Sequence, residues 1–295
     1  MAIPTETVYG LGADAENEAA VAKIYLAKNR PNDHPVIVHI SDPALVDYWA
    51  EEVPGFAFDL MKAFWPGPMT LILKRRSTAK DFITGGQSTV GLRVPNHRVA
   101  REVLRKFEAL GGNGIAAPSA NRYGAVSPTS AKAVADSLGQ YLFDGDVILE
   151  GGDSEIGLES TIVDCTKSSP RILRPGAITS EMIQDLLGGL TDTPEEVDIR
   201  VSGSHKQHYS PNAKVALNKI PTAGQGLIAL SDIPTPDGVV RLAAPKSLEQ
   251  FGQVLYAALR QADELGLEQI CIFEPEGPGL AIAIRDRVGR AAAKG

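Results

Sequence analysis

Hydrophobic positions along the first hundred residues follow two spacings, one typical of helices and one typical of strands. Between residues 17 and 28, apolar side chains repeat at helical spacing, with Asn17 as a candidate N-cap. Residues 35–40 and 89–94 instead alternate between two faces, which predicts strands. We therefore expect helices and strands to be interspersed, as in an α/β protein.

The same spacing rules divide the rest of the chain into short elements. Further helices are predicted at residues 43–51, 55–64, 98–110, 130–138 and 180–187, and further strands at 71–74, 115–117, 147–149, 162–164 and 171–174. We expect Thr129 to cap the helix that starts at residue 130. Beyond residue 212, strands are predicted at 214–217, 226–230, 238–242 and 269–273, and helices at 248–265 and 282–293. Their order predicts a small parallel-sheet domain.

Composition limits the kinds of protein to consider. The chain has 295 residues, 43% of them hydrophobic, and a formal net charge of −7 without a dense Lys/Arg run, which disfavours an extended nucleic-acid groove. Cys165 and Cys271 form no C-x-x-C pair, so we interpret them as buried structural thiols and predict no metal site. There is no signal peptide and no apolar run near the ~18 residues of a membrane span, so we expect a cytoplasmic protein.

The densest group of polar side chains is at residues 4–12, which read P-T-E-T-V-Y-G-L-G. Two hydroxyls, a carboxylate and a phenol precede Gly10 and Gly12, which allow close backbone approach. A strand that enters such a turn is a common place for small ligands in α/β proteins. An ordinary turn after a strand explains this stretch alone equally well.

Two cations follow the first predicted helix. Lys28 continues the apolar stripe of that helix, an unusual place for a charge, and Arg30 stands before Pro31. These cations either complement the helix dipole or form a phosphate clamp, in which Arg30 binds in a bidentate manner.

Alternation also places polar groups on one face of two strands. In the strand at 89–94 these are Thr89, Gly91 and Arg93, which would suit an anionic ligand lying across the sheet, although a solvated edge is the alternative. In the strand at 35–40, Ile37 and His39 share a face. A single strand histidine is more often structural than a ligand.

A third polar stretch precedes the helix at residue 130. It reads P-S-A-N at 118–121 and S-P-T at 127–129. Serine hydroxyls next to free helix amides can bind a phosphate, while a capped helix without a ligand is the alternative.

These stretches together resemble one family, the two-domain threonylcarbamoyl-AMP synthases, in which a YrdC/TsaC-like domain precedes a Sua-type domain. The resemblance rests on P-T-E-T-V-Y-G-L-G, K-x-R-P with V-H-I, W-P-G-P-M-T, G-L-R-V-P, P-S-A-N with S-P-T, E-S-T-I-V-D, R-P-G and H-Y-S-P, in this order. It implies a twisted mixed-sheet YrdC-like catalytic domain at residues 1–189, a linker or lid at 190–212, and a smaller Rossmann-like parallel-sheet domain at 213–295.

The resemblance also implies a reaction, in which L-threonine, bicarbonate and ATP give threonylcarbamoyl-AMP and pyrophosphate for the threonylcarbamoyladenosine modification of tRNA. Lys28 and Arg30, with Mg²⁺, would neutralise the phosphates and carry catalysis. Threonine would be held by Thr5, His39, Arg93, Ala117 and Ser160. ATP would be held by the two cations and by Asn32, Thr89, Ser119, Ser127, Arg174 and Tyr209. The product would pass to a tRNA threonylcarbamoyl transferase complex.

The sequence departs from the family pattern at three places. The family usually has a helix and the start of a strand before P-T-E-T, so the N-terminal helix is expected to be missing here. Asn29 replaces the glycine of K-G-R-P, and the linker keeps only Gly203 of S-P-G-M-K before H-Y-S-P. The linker is expected to close over the nucleotide through Tyr209, with the second domain as its anchor only.

Two other functions share parts of this pattern. A carbamoyl-adenylate-forming enzyme of hydrogenase maturation shares the YrdC-like domain, but it normally carries C-x-x-C zinc motifs and an acylphosphatase segment that are not found here. A non-catalytic RNA-binding module is the other alternative, and the acidic balance of the chain disfavours it.

Overall fold

The computed structural model describes residues 1–188, 199–203 and 209–293. Most of the predicted linker, including residues 205–208, lies outside this range. We call residues 1–188 the first domain and residues 213–293 the second domain.

The first domain is built on a seven-stranded mixed sheet with the strand order β3-β7-β4-β6-β5-β8-β9. Its strands are β3 (Ala13–Asp14), β4 (Ile37–His39), β5 (Met69–Lys74), β6 (Thr89–Arg93), β7 (Ile115–Ala116), β8 (Thr161–Asp164) and β9 (Arg171–Arg174), and a separate pair is formed by β1 (Ala2–Ile3) and β2 (Gly10–Leu11). Its α-helices are α1 (Glu18–Lys28), α2 (Val46–Trp49), α3 (Gly55–Phe64), α4 (Asp81–Thr84), α5 (Arg98–Ala109), α6 (Ala131–Leu138) and α7 (Ser180–Leu187). Short 3-10 helices lie at Pro43–Leu45 and Gly139–Tyr141.

The central strands β4 and β6 are parallel, and His39 is the register partner of Arg93. The faces predicted from alternation are confirmed. Val38 and Leu92 point into the main apolar core, while Ile37, His39 and Arg93 line a pocket on the other face. His39 and Arg93 therefore stand at the carboxyl ends of neighbouring parallel strands, where open α/β sheets bind ligands.

Helix α1 is closed at both ends by asparagine. The Asn17 side chain accepts a hydrogen bond from the Ala20 amide, as predicted, and Asn29 has a left-handed backbone with φ of 52°. Asparagine tolerates this conformation better than other non-glycine residues, so Asn29 can replace the family's glycine at the helix end. The turn to Arg30 is therefore preserved.

Two local predictions are wrong. Helix α6 is capped by Ser130, whose side chain accepts from the Ala133 amide, whereas the Thr129 hydroxyl accepts from Arg260. Residues 147–149 form one bridge, between Ile148 and Ala2, instead of a strand.

The second domain has a four-stranded sheet that is fully parallel, as predicted, and its strand order is β10-β13-β11-β12. Its elements are β10 (Lys214–Leu217), β11 (Gly226–Ile228), β12 (Val240–Ala243), α8 (Leu248–Glu264), β13 (Gln269–Ile272) and α9 (Leu280–Ala292). The mixed sheet and the separate parallel sheet together confirm the predicted fold class.

The two domains share one apolar cluster. Val8 and Leu158 of the first domain pack in the same cluster as Phe251 and Leu255 of α8. At Gly157, with φ of 74°, an added Cβ would lie 2.6 Å from the Gln253 Cα, so the two backbones touch. Helix α8 is therefore a direct neighbour of the loop that precedes β8.

Cys165 and Cys271 are buried and free, as predicted. Across residues 1–188, 199–203 and 209–293, every helix falls short of the length and apolarity that crossing a membrane requires.

Candidate active site

A pocket opens at the carboxyl ends of β4 and β6. It is lined by the residue 4–12 turn, the P-S-A stretch, the E-S stretch before β8, the end of β9 and the described linker residues. The lining residues are Thr5, Thr7, Val8, Gly10, Ile37, His39, Arg93, Ala117, Pro118, Ser119, Glu159, Ser160, Arg174, Ser202, Gly203 and Tyr209. Together with the ends of β4 and β6, seven separate chain segments therefore meet at this pocket.

On one side of the pocket, Arg93 is held by the residue 4–12 turn. Its Nη2 lies 2.6 Å from Glu6 Oε1, and its Nη1 donates to Thr7 Oγ1 at 2.9 Å. Thr5 Oγ1 donates to the Val8 carbonyl and lies 2.9 Å from Thr7 Oγ1, so the Thr7 proton is directed to Thr5. This chain of bonds fixes the turn and leaves Arg93 paired with a buried carboxylate.

His39 stands beside Arg93 and is 4% exposed. Burial, together with the neighbouring Arg93 charge, lowers the pKa of His39 from 6.5 to about 3. The ring is therefore neutral at physiological pH. Among the described residues, its buried Nδ1 has no hydrogen-bond partner, so this atom is available to a ligand. We refer to Thr5, Glu6, Thr7, His39 and Arg93 as the first-domain group.

Lys28 is buried at the end of α1, and its Nζ donates to the Ser119 and Asn121 carbonyls. Burial, together with the charges of Arg30 and Arg122, holds the pKa of Lys28 well below its usual 10.5. Lys28 Nζ therefore fixes the P-S-A-N loop, and an anion close to it would raise the pKa of Lys28 again.

Arg30 is also buried, and its Nη2 donates to the Pro35 carbonyl. Within the described part of the chain, its Nε–H has no acceptor. An unpaired buried guanidinium N–H is costly unless a ligand oxygen accepts from it. This atom is the direct structural reason to keep Arg30 as a candidate phosphate ligand.

A second buried carboxylate, Glu159, lies on another wall of the pocket. Its Oε1 accepts from Ser127 Oγ at 2.6 Å, and its Oε2 accepts from the Tyr256 hydroxyl at 2.9 Å and from Arg287 Nε at 2.8 Å. Burial raises the pKa of Glu159, but the charges of Arg287 and Arg174 and the Ser127 bond outweigh it and lower the pKa to about 2. Glu159 is therefore ionised at neutral pH.

Tyr209 comes from the described end of the linker and is 1% exposed. Its ring stacks on Tyr256 with centroids 5.6 Å apart, and Arg287 lies 5.4 Å from the ring centroid. At Gly203, with φ of 82°, an added Cβ would lie 2.5 Å from the Tyr209 hydroxyl, which explains why the linker keeps this glycine. We refer to Ser127, Glu159, Tyr209, Tyr256 and Arg287 as the two-domain group.

Arg174 and Ser160 join the two walls. Arg174 donates through Nε and Nη2 to the Ser160 carbonyl and through Nη1 to the Ser202 carbonyl. Ser160 Oγ lies 2.8 Å from Thr70 Oγ1. The guanidinium thus ties the described linker to the strand β8 wall.

The structure brings most of the predicted site residues together. Eight of them line the pocket: Thr5, His39, Arg93, Ala117, Ser119, Ser160, Arg174 and Tyr209. Lys28 and Ser127 lie one hydrogen bond behind lining residues. Arg30 is buried outside the lining, and Asn32 is exposed beyond it.

Thr89 is placed elsewhere. It shares a face with Arg93 as predicted, but four residues along a strand correspond to about 13 Å. Thr89 lines a different cleft with Lys74, Arg75 and Arg171. The structure therefore separates Thr89 from the pocket residues with which it was grouped.

Several buried polar residues of the site were outside the predicted set, Glu6, Asn121 and Glu159 among them. Glu6 pairs with Arg93, the Asn121 carbonyl accepts a hydrogen bond from Lys28, and Glu159 accepts one from Ser127. Each stands inside a stretch singled out by its composition. Local sequence patterns do not reveal which residue each of them pairs with. Glu159 and Arg287, for example, are 128 positions apart.

Among the described residues, no group of three His, Cys, Asp or Glu side chains could hold a metal ion. The two carboxylates beside the pocket are each paired with an arginine. Burial, with the neighbouring Asp164, raises the pKa of Cys165, so this thiol is no nucleophile. The described site is suited to binding and orienting charged groups.

Comparison with known proteins agrees with this architecture. The family described as "Telomere recombination" (Sua5_yciO_yrdC) matches residues 1–176, and the family described as "Threonylcarbamoyl-AMP synthase, C-terminal domain" matches residues 178–293. The threonylcarbamoyl-AMP synthase of Pyrococcus abyssi is 36% identical over 99% of this chain and 89% of its own length. That of Bacillus subtilis is 39% identical, with the same coverage of both chains.

The crystal structure of P. abyssi Sua5 complexed with L-threonine superposes with a TM-score of 0.87 at 36% identity, covering 99% of this chain and 89% of that one. The fold of a mixed-sheet domain joined to a parallel-sheet domain is thus common to both. The chain belongs to the two-domain threonylcarbamoyl-AMP synthase family.

Proposed function

We propose that this protein is a nucleotidyltransferase that makes L-threonylcarbamoyl-AMP and pyrophosphate from L-threonine, bicarbonate and ATP. The observation that carries the proposal is the single pocket, in which hydroxyls, a neutral histidine and a paired arginine face a wall that holds a buried tyrosine. Relatives similar over nearly the whole chain carry the name threonylcarbamoyl-AMP synthase.

The reaction divides into two steps that need positioning more than covalent help. The threonine nitrogen attacks the carbon derived from bicarbonate, and a carbamate forms with loss of water. A carbamate oxygen then attacks the α-phosphorus of ATP, and the bond to the pyrophosphate oxygen breaks. Orientation of the two substrates supplies much of the rate, and fixed charges near the phosphates supply the rest.

Threonine is assigned to the first-domain group together with Ala117 and Ser160. The Arg93 charge is already balanced by Glu6 at 2.6 Å, so Arg93 attracts a carboxylate less strongly than a free guanidinium would. The neutral His39 Nδ1 can accept a hydrogen bond from the threonine hydroxyl or amine.

ATP is assigned to the wall formed by Ser119, Ser127 and Tyr209, with Lys28 and Arg30 next to the phosphates. Mg²⁺ enters as part of the MgATP substrate, because the described carboxylates offer no dedicated ion site. Transfer of the product to a tRNA-modifying complex completes the proposal.

The test is pyrophosphate release from ATP by the full-length protein. We expect release that requires both L-threonine and bicarbonate, and that proceeds without RNA. Release that ignores threonine, or that appears only with RNA, would overturn the proposal.

A further inference from the structure

The second domain contacts the pocket with side chains as well as by anchoring the linker. Tyr256 lies on α8 and Arg287 on α9, and both bond to Glu159 Oε2. Arg260, also on α8, donates to the Ser127 carbonyl at 2.6 Å. The expectation that this domain is an anchor only is therefore corrected.

Glu159 depends on these contacts for its charge. A buried carboxylate without a cation takes up a proton or moves away. Here Arg287 is 0% exposed and supplies the charge at 2.8 Å, while Ser127 occupies the other carboxylate oxygen. The orientation of the Ser127 hydroxyl is thus determined by a residue of the second domain acting through Glu159.

All three guanidinium nitrogens of Arg287 have a hydrogen-bond partner. Its Nη1 donates to Asp286, and its Nη2 donates to the Pro175 carbonyl at 3.0 Å. Pro175 directly follows Arg174, which lines the pocket. One guanidinium therefore fixes both Glu159 and the end of β9.

Tyr256 makes two contacts with the pocket wall. Its hydroxyl bonds to Glu159, and its ring stacks on Tyr209. Among the described residues, no hydrogen bond joins the second domain to Thr5, His39 or Arg93. The contacts of the second domain are thus concentrated on the wall assigned to ATP.

We propose that Arg287 and Tyr256 are positioning residues for the nucleotide, which orient Ser127 through Glu159 and hold the Tyr209 ring by direct contact. The proposal rests on the proposed function in one respect, the assignment of ATP to this wall. It makes the second domain a determinant of nucleotide affinity.

The experiment compares full-length variants by calorimetric titration with α,β-methylene-ATP and, separately, with L-threonine. Tyr256→Phe removes one hydrogen bond and keeps the stacked ring, so we expect the nucleotide Kd to rise by roughly five- to tenfold. Arg287→Met should raise it further. The threonine Kd should stay within about twofold in both, on the usual scale for a group that makes no direct contact.

The matched control is Arg285→Met. Arg285 lies on the same helix, and its guanidinium donates to the Pro275 and Gly277 carbonyls within the second domain. We expect this variant to bind both ligands as the wild type does. Thermal unfolding of every variant establishes that titrations are made on folded protein.

Glu159→Gln supplies the test of mechanism. If Tyr256 acts through Glu159, the losses caused by Tyr256→Phe and Glu159→Gln are not additive in the double variant. Additive losses, an unchanged nucleotide Kd in Tyr256→Phe, or an equal loss for threonine would each overturn the inference. A wild-type protein that binds no ATP analogue would instead overturn the proposed function.

Discussion

Two buried arginine–glutamate pairs stand beside the same pocket, and they are built differently. Arg93 and Glu6 both come from the first domain, and the pair is 2.6 Å apart. Arg287 and Glu159 come from different domains, at 2.8 Å. The first pair needs only the fold of the first domain, whereas the second forms only when both domains are docked.

This difference teaches what the second domain contributes. Residues assigned to threonine are supported within one sheet, since His39 and Arg93 are register partners. Residues assigned to ATP are supported from α8 and α9. If the proposed assignments hold, the two substrate sites rest mainly on different supports, and variants of each pair should separate their effects.

The largest effect is expected from breaking the first-domain pair. Arg93→Met leaves Glu6 buried without a cation, which typically costs about 3–5 kcal/mol of unfolding free energy. Urea unfolding at pH 7.5 measures it. Adding Glu6→Gln to the same chain should recover part of the loss, whereas a loss below about 1 kcal/mol would mean that the pair is dispensable.

Lys28 and Arg30, at the end of α1, belong to neither pair. We expect substitution of either cation to lower turnover more than the other changes described here. We expect Arg30→Ala to lower kcat/KM for ATP by about 10²–10³, because a charged donor near the reacting phosphates is removed. Lys28→Ala should do the same and also destabilise the fold, since two carbonyls lose their donor.

Lys23→Ala is the control for this pair of cations, because Lys23 is an exposed lysine on the same helix. Steady-state pyrophosphate release measures all three variants. Arg30→Ala with the turnover of Lys23→Ala would exclude Arg30 from the phosphate site.

A smaller effect concerns pH and the first-domain group. The pKa of His39 is about 3 in the folded protein and near 6.5 when unfolded, so the unfolded state binds the extra proton as the pH falls below 6.5. This group should therefore remove roughly 2 kcal/mol of stability between pH 6.5 and 5. Denaturant unfolding at both pH values should show that His39→Gln loses less unfolding free energy between pH 6.5 and 5 than the wild type does. An equal loss in the two proteins would contradict the burial of a neutral ring.

The smallest effect is expected at the linker tyrosine. Tyr209→Ala removes the ring that stacks on Tyr256, and it should raise the nucleotide Kd by about three- to tenfold. Tyr209→Phe keeps the ring and should fall between the wild type and Tyr209→Ala. Titration with α,β-methylene-ATP measures both, and an unchanged Kd in Tyr209→Ala would remove this residue from the nucleotide wall.

Local patterns in the sequence predict the position of His39 and Arg93 in the first domain well. Alternation places His39 and Arg93 correctly, because strand geometry fixes which face each side chain takes. The position of Lys28 in the apolar stripe of α1 also indicates that this side chain is buried. Thr89 shows the limit of such reasoning, since sharing a face does not mean sharing an end of the strand.

The pair formed by Arg287 and Glu159 depends on long-range contacts. Arg287 is one of several charged residues in α9. Charged residues usually lie on the solvent-exposed face of a helix, and the local pattern does not show that this arginine is buried. Its partner Glu159 is 128 residues away. Pairing of this kind follows from how the domains dock, which the periodicity of either segment does not encode.

The most direct test of the account is a crossed titration of two full-length variants, Arg93→Lys and Tyr256→Phe, each with L-threonine and with α,β-methylene-ATP. Arg93→Lys keeps a positive charge beside Glu6, and Tyr256→Phe leaves the pair of Glu159 with Arg287 in place, so we expect both variants to fold. We predict that Arg93→Lys weakens threonine binding several-fold more than nucleotide binding, and that Tyr256→Phe does the reverse. Variants that weaken both ligands equally would contradict the separate support of the two substrate sites.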